Sequence, residues 1–460
     1  MLFTELRFVV FFLAIFAVHW ALPWHRARKL WLLAASYSFY AAWDWRFLSL
    51  ILASTLIDYS VGRLLESASA PKQRRLLLVM SLVGNLGILG FFKYYNFFAT
   101  SAAAFTSWLG IGLPLSALEI ILPLGISFYT FQTLSYTVDV YRGRLQPTHS
   151  LTDFALFVSF FPQLVAVPIV RAIEFLPQLE APRRLADIGF RAPLVRFLLG
   201  YVKKACIADH IAAAIDPVFA DPAAYDTLSL WLSSLLYSLQ IYCDFSGYSD
   251  MAIASAAMLG YHLPENFGFP YLAKTVREYW RRWHITLTTW FRDYLYIPLG
   301  GNRVGPTRLA INLCTVLLLC GLWHGAAWTF VVWGVYHGLF LSFERFVSVE
   351  RLPGWLGHVY VIVVVSCGFV IFRSTDLPAA GVFLSGLVPG LATGALSVAS
   401  GWWLLLAAFG LAHVGLSLRP IEPEVVRVPG WGFAVAYGVA VAVVLPWAAS
   451  QYEPFIYFQF

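Results

Sequence analysis

At 460 residues, 60% hydrophobic and 12% charged, with a mean hydropathy of +0.71, the chain lies outside the ordinary soluble class and reads as a polytopic membrane protein. The net charge of +6 calls for no nucleic-acid partner, because positive cytoplasmic loops account for it. An aromatic content of 17%, with 18 Trp, exceeds the needs of plain lipid-facing helices and points to interfacial belts or an amphipathic cavity.

In chain order, the apolar run from Leu6 to Leu22 carries Arg7 at its start and no small-x-small cleavage site after it. It reads as a retained first span rather than a signal peptide. Basic clusters at His25 to Lys29 and Arg63 to Arg75 bracket two apolar runs joined by a tight turn at Trp43-Asp-Trp-Arg46. Two spans return the chain to the side it left, so both clusters are expected in the cytoplasm and the N-terminus outside.

Further apolar runs cover 76–92, 120–138, 152–170, 194–208, 228–243, 309–341, 358–372, 379–393, 402–418 and 431–449. The expected fold is all-α, a single integral membrane domain over 1–460 with about ten to twelve spans plus re-entrant or interfacial helices. No extramembrane domain and no repeat is evident. Proline and glycine interrupt the central runs, as in Leu122-Pro-Leu-Gly125 and Phe161-Pro162. Broken helices at membrane depth need protein or a water-filled cavity around the freed backbone, which favours a site in the middle of the protein. The five cysteines have no CxxC or metal-ligand spacing, so neither a disulfide nor a metal site is expected.

Within the run that begins at 228, the segment Gln240 to Met251 places Asp244, Ser246, Ser249 and Asp250 in apolar sequence. Its serines form no GxSxG elbow. Structural hydrogen bonding explains these residues as well as catalysis does, with Asp244 a candidate to orient a substrate or an imidazole.

The segment Arg277 to Arg303 mixes charge and indole rings as no other stretch does. Read as one helix at roughly 100° per residue, it collects Tyr279, Trp280, Trp283, Leu287, Trp290, Phe291 and Tyr294 in an arc about 120° wide. Arg277, Arg281, His284, Thr288 and Arg292 share an adjoining polar stripe. Such a helix suits the headgroup level as a mere anchor. The other reading turns on His284, whose arginine neighbours favour the neutral imidazole that a base needs.

His324 follows an apolar helix that starts near Leu309, and fifteen residues at about 1.5 Å each carry it about 22 Å in, within the hydrocarbon layer. An ionisable group at that depth is a functional candidate; the alternative is a neutral histidine bonded to a neighbouring helix. His337, thirteen residues on, points to nearly the opposite face of one continuous helix and is the lesser candidate. With no phosphate loop, HExxH or CxxC, nucleotide-driven pumping and metalloprotease chemistry lack support. A buried base able to deprotonate a hydroxyl, with a second histidine nearer the cytoplasm, suits acyl transfer.

These residues resemble the membrane-bound O-acyltransferase superfamily, within it the bacterial branch of alginate O-acetyltransferase membrane subunits, peptidoglycan O-acetyltransferases and the D-alanyl transfer protein of teichoic acids. The likeness runs nearly end to end. It rests on Phe161-Pro-Gln-Leu164, Gly247-Tyr-Ser-Asp-Met251, Asn266-Phe267 with Pro270-Tyr271, Tyr279-Trp-Arg-Arg-Trp-His284, Phe291 to Arg303, Leu322-Trp-His-Gly325 and the terminal Pro454 to Phe460.

The resemblance implies that His324 is the catalytic histidine and His284 the second histidine of the aromatic-arginine motif. Arg281, Arg282, Trp283, Trp323 and Asp244 are expected to line the donor side and a central tunnel, where a cytoplasmic donor meets an extracytoplasmic acceptor. Val167, where glycine usually precedes the proline, and His210, where asparagine is commoner, depart from the pattern; the valine implies a displaced helix or a narrower tunnel.

The expected activity is O-acetylation of an exported polysaccharide such as alginate, in a bacterial inner membrane. Acetyl-CoA or another acyl thioester is the expected donor, with no tightly bound cofactor, and a separate periplasmic transferase the expected relay. Transfer to peptidoglycan or cellulose, or D-alanyl transfer from a carrier protein, is the alternative within the class. A transporter or flippase with proton-carrying histidines, and a structural scaffold for polymer export, are the alternatives outside it.

Overall fold

A helix needs about 20 apolar residues to cross the hydrocarbon layer. The computed structural model describes residues 2–112, 116–164, 168–419, 421, 425 and 427–448. Among these, five helical stretches are long and apolar enough: His25–Ser67, Pro71–Trp108, Pro306–His324, Gly354–Arg373 and Gly430–Trp447. Shorter apolar helices accompany them, including Leu6–Ala21 and Trp402–Leu418. The chain is therefore a helical, polytopic membrane protein. Val167 and Pro454 to Phe460 lie outside the described residues.

The chain divides into two compact units, the first comprising Arg7–Ile188 and Ala256–Pro264. Its helices are α1 (Leu6–Ala21), α2 (His25–Asp44), α3 (Leu48–Ser67), α4 (Pro71–Leu89), α5 (Tyr95–Trp108), α6 (Ile126–Tyr141), α7 (Leu151–Ser159), α8 (Phe161–Leu164) and α9 (Ala172–Glu180). The turn expected at Trp43 to Arg46 forms because the Asp44 carboxylate accepts from the Arg46 backbone N–H at 3.0 Å and starts a 3₁₀ turn over Trp45–Phe47.

Rings of Phe8, Phe12, Phe39 and Phe161 pack together in this unit, with Phe39 and Phe161 5.7 Å apart. Between α3, α4 and α6, the Asp58 carboxylate accepts from Ser81, from Asn85 at 2.8 Å and from Thr137 at 2.8 Å. Those donors satisfy a carboxylate that water does not reach.

The second unit comprises Leu2–Leu6, Gly189–Ser255 and Glu265–Phe460. It holds α10 (Arg191–Tyr201), α11 (Asp209–Ala220), most of α12 (Thr227–Met258), α13 (Val276–Arg282), α14 (Ile285–Phe291), α15 (Pro306–His324), α16 (Trp328–Phe346), α17 (Gly354–Arg373), α18 (Leu377–Gly386), α19 (Trp402–Leu418) and α20 (Gly430–Val444).

Two features of this unit position the site. The apolar run 309–341 is a hairpin rather than one helix: α15 ends at His324, Gly325 is extended (φ −158°, ψ 151°), and α16 restarts after Ala327. Its arms approach so closely that a Cβ on Gly321 would fall on the Phe330 carbonyl, and one on Gly334 on the Leu317 carbonyl. Elsewhere α12 crosses α10 with Gly247 against the Gly200 carbonyl, at 2.6 Å from where a Cβ would stand. That contact accounts for the glycine of Gly247-Tyr-Ser-Asp-Met251.

The single amphipathic helix expected from Arg277, ended by Pro298 and Gly300-Gly301-Asn302, is also broken. It is α13, then a turn at Trp283 and His284, then α14, then a π-helical turn over Arg292–Tyr296. His284 adopts φ +43°, ψ 54°, a left-handed conformation no continuous helix contains. The arginine stripe therefore does not carry His284. Tyr279, Trp280, Trp283, Leu287 and Phe291 are buried within the protein rather than spread at a lipid headgroup surface.

Candidate functional site

Several polar anchors fix α13 and the turn after it. Thr275 caps α13 by accepting from the Glu278 N–H at 3.0 Å, while the Glu278 side chain accepts from the Lys274 N–H at 2.9 Å. The Glu344 carboxylate takes the next two donors, the N–H groups of Val276 at 2.5 Å and Arg277 at 3.0 Å. A carboxylate is well suited to this helix N-terminus, where orphan N–H groups carry partial positive charge. At the other end, the Gly268 N–H donates to the Arg282 carbonyl and the Ile285 N–H to the Asn266 carbonyl, both at 2.9 Å. The segment 266–268 thereby pins the turn on both sides of His284.

The turn sends its side chains in different directions. His284, 1% exposed, sits 4.6 Å from the ring of Phe245, 5.9 Å from Trp323 and 6.4 Å from His324. Its Nδ1 lies 3.1 Å from Asn266 Oδ1. Burial, not the arginines, favours its neutral form; the residue lies outside the five long apolar stretches.

His324, 5% exposed, is the last residue of α15 and faces Trp323 at 5.0 Å, Trp333 at 5.2 Å and Phe372 at 5.4 Å. Two imidazoles from different elements thus meet in one aromatic enclosure built from α12, α15, α16 and α17.

Of the other residues singled out from the sequence, Trp323 packs against both histidines, 5.9 Å from His284 and 5.0 Å from His324. Trp283 instead stacks on Tyr279 at 5.5 Å and meets Phe267 and Phe369. Arg282 pairs with Glu278 at 2.8 Å and donates to the Gly268 carbonyl at 3.1 Å. Arg281 is exposed. Asp244 is held by Lys204 at 2.7 Å, and Lys204 also contacts Asp209 at 2.7 Å, all three deeply buried. The next residue on α12, Phe245, packs against His284 at 4.6 Å.

His337 does not point away. The chain reverses at Gly325, so Trp333 of α16 comes back against His324 at 5.2 Å; His337, one turn further along α16, packs on that same Trp333 at 5.0 Å and on Trp280 at 5.3 Å. A cavity of about 130 Å³ lies beyond Trp280, lined also by Phe291, Arg292, Leu317, Cys320 and Leu341.

Asn266, Glu344 and Lys204 were not among the candidates read from the sequence. Asn266 appeared there only within a matched motif. The other two became visible once helices distant in sequence were brought together.

The pattern that defines the membrane-bound O-acyltransferase family matches residues 31–366, a stretch that contains both histidines. The chain belongs to this family. As a membrane-bound O-acyltransferase it is an enzyme that transfers acyl groups to oxygen.

The acyltransferase is 39% identical to the probable alginate O-acetylase AlgI of Pseudomonas putida across the whole of both chains. It is 41% identical to the protein of the same name from Pseudomonas aeruginosa, over 89% of this chain and 82% of that one. It is also 38% identical to the peptidoglycan O-acetyltransferase of Helicobacter pylori, over 78% of this chain and 73% of the relative.

Proposed function

We propose that this acyltransferase takes an acetyl group from a cytoplasmic thioester, acetyl-CoA, and delivers it across a bacterial inner membrane for O-acetylation of an exported polysaccharide, alginate above all. The observation that carries the reading is the pair of buried imidazoles, 6.4 Å between ring centroids, enclosed by aromatic rings. Full-length similarity to proteins named for alginate acetylation supports the acceptor.

In this reading His324 is the general base. It removes the proton from the acceptor hydroxyl, on the polymer or on a periplasmic relay protein, as the oxygen attacks the thioester carbonyl carbon. The carbon–sulfur bond breaks, the sulfur leaves as thiolate and is protonated, and an ester and a free thiol result. His284 and Trp323 serve the donor side. Exposed Arg281 and half-exposed Arg282 offer charge to an anionic donor, while Trp283 backs the turn and Asp244 braces α12 behind Phe245.

A central tunnel joins the two sides, and the shorter apolar helices bring the crossings to about ten to twelve. The chain works as one acyltransferase domain, with a separate periplasmic protein completing transfer to the polymer.

Peptidoglycan is the second acceptor to test, because the Helicobacter pylori relative is nearly as similar as the alginate-named proteins. The deciding measurement is free-thiol release from acetyl-CoA by the protein in lipid, with alginate oligomers or peptidoglycan fragments and with cell extract as a source of relay protein. His324→Ala is expected to lower release by about 10²- to 10⁴-fold, the usual share of a general base. His284→Ala is expected to lower it as well. Release untouched by His324→Ala overturns the catalytic assignment. Transport of polymer without thiol release places the chain among transporters instead.

A further inference from the structure

We propose that Asn266 is a positioning residue that sets the tautomer of His284, fixing the proton on Nδ1 and leaving Nε2 as the nitrogen with the free electron pair. The inference deepens the proposed function, since it rests on His284 taking part in the transfer.

The two ends of a buried amide are told apart by what faces them. One end of the Asn266 side chain lies 3.3 Å from the Thr286 backbone N–H. A backbone N–H only donates, so that end is the oxygen. The Thr286 hydroxyl reaches the same atom at 2.9 Å. His284 Nδ1 stands 3.1 Å from this oxygen. An amide oxygen only accepts, so Nδ1 must carry hydrogen. In the neutral ring only one nitrogen does, and Nε2 is then the acceptor or base.

The same residue also holds the backbone. The Asn266 carbonyl accepts from the Ile285 N–H at 2.9 Å, immediately after a histidine at φ +43°. Side chain and main chain of one residue therefore fix both the ring and the strained backbone that carries it. Asn266 is itself 1% exposed.

Its Nδ2 is buried without a hydrogen-bond partner among the described residues. The side-chain oxygen, by contrast, is engaged three times, by His284 Nδ1, the Thr286 N–H and the Thr286 hydroxyl.

An aspartate would accept the same bonds, but its negative charge would draw a second proton onto the imidazole. Asparagine provides the acceptor without the charge. Around the ring, Phe245 of α12 and Trp323 of α15 do not titrate, whereas His324 of α15 does.

The test uses the full chain in lipid, labelled with ¹⁵N-histidine, with the His284 signals assigned by difference from His284→Ala. The parent is expected to show His284 protonated on Nδ1, and Asn266→Ala to lose that preference. Thiol release by Asn266→Ala should fall about 10- to 100-fold, the loss seen when the hydrogen-bond partner that orients a metal-bound histidine is removed. Asn266→Asp should keep the Nδ1 proton and move the acidic limb of the pH–rate profile to higher pH, because the added negative charge raises the imidazole pKa and the neutral ring appears only above it.

A parent His284 protonated on Nε2, a tautomer unchanged in Asn266→Ala, or an Asp variant with an unshifted profile overturns the proposal. The label reads the tautomer whether or not turnover depends on it. If Asn266 governs the tautomer and His284→Ala still releases thiol normally, the donor-side role of His284 fails while the Asn266–His284 coupling stands.

Discussion

At the scale of single residues, chemistry of one kind is separated from support of another. An apolar setting makes Asp244 a candidate orienting group, yet its carboxylate pairs with Lys204, which is 3% exposed at its side chain and shared with Asp209. Two carboxylates around one ammonium cannot tolerate its loss, because a buried charge deprived of its counter-ion bears the full desolvation cost. Lys204→Met is therefore expected to destabilise the protein by about 3–5 kcal/mol, seen as a large fall in apparent melting temperature in detergent. Adding Asp209→Asn and Asp244→Asn to the same chain should recover much of that loss. A single Lys204→Met variant as stable as the parent would remove the triad from any structural role. Residue type and apolar setting identified Asp244 as unusual; its partner, coming from another helix, decided what it does.

At the scale of elements, the hairpin α15–α16 shapes the candidate site. A straight helix over 309–341 would send His324 and His337 to opposite faces, and its hydrophobic pattern is equally compatible with that straight form. The reversal at Gly325, and arms close enough for Gly334 to touch the Leu317 carbonyl, instead bring Trp333, which already carries His337 one turn along α16, against His324. Gly334→Val should force the arms apart, since its Cβ has no room and the obstacle is backbone rather than a mobile side chain. Overpacking of this kind costs about 1–3 kcal/mol. Thiol release should fall further than the stability loss alone explains, while Gly381→Ala, on α18 with open space around it, serves as the control. Equal activity in both variants would show that hairpin spacing does not matter to turnover. The broken segment α13–α14 teaches a related lesson. Its helical period is real in the sequence, but pairing of 266–268 with 282–285 outweighs it and turns His284 inward.

At the scale of the whole molecule, apolar composition fixes the solvent. Helix α20 keeps Trp431, Val435, Val439 and Val443 exposed, and no residue of the stretch Gly430–Trp447 is fully buried; that exposed face in water would be aggregation-prone and in a bilayer is an ordinary lipid-facing one. Val439→Arg should weaken insertion of this stretch by roughly 2.5–3.5 kcal/mol, readable as a larger untranslocated fraction in a membrane-insertion assay. Unchanged insertion would mean that protein or a partner, not lipid, covers this face.

Composition and hydropathy alone determined the membrane environment, the all-helical class and most helix positions, because those follow from summed transfer energies and local periodicity. Motif spacing also determined the family and marked His284, His324 and Trp323. Tertiary structure decided the rest: the break that frees His284 from the arginine stripe, the return of Trp333 beside His324, the Lys204 claim on Asp244 and the grip of Asn266 on an imidazole. Each depends on a hydrogen bond, ion pair or close backbone contact between residues far apart in sequence. Local period carries no record of such pairings, because their energy exists only once the helices have packed.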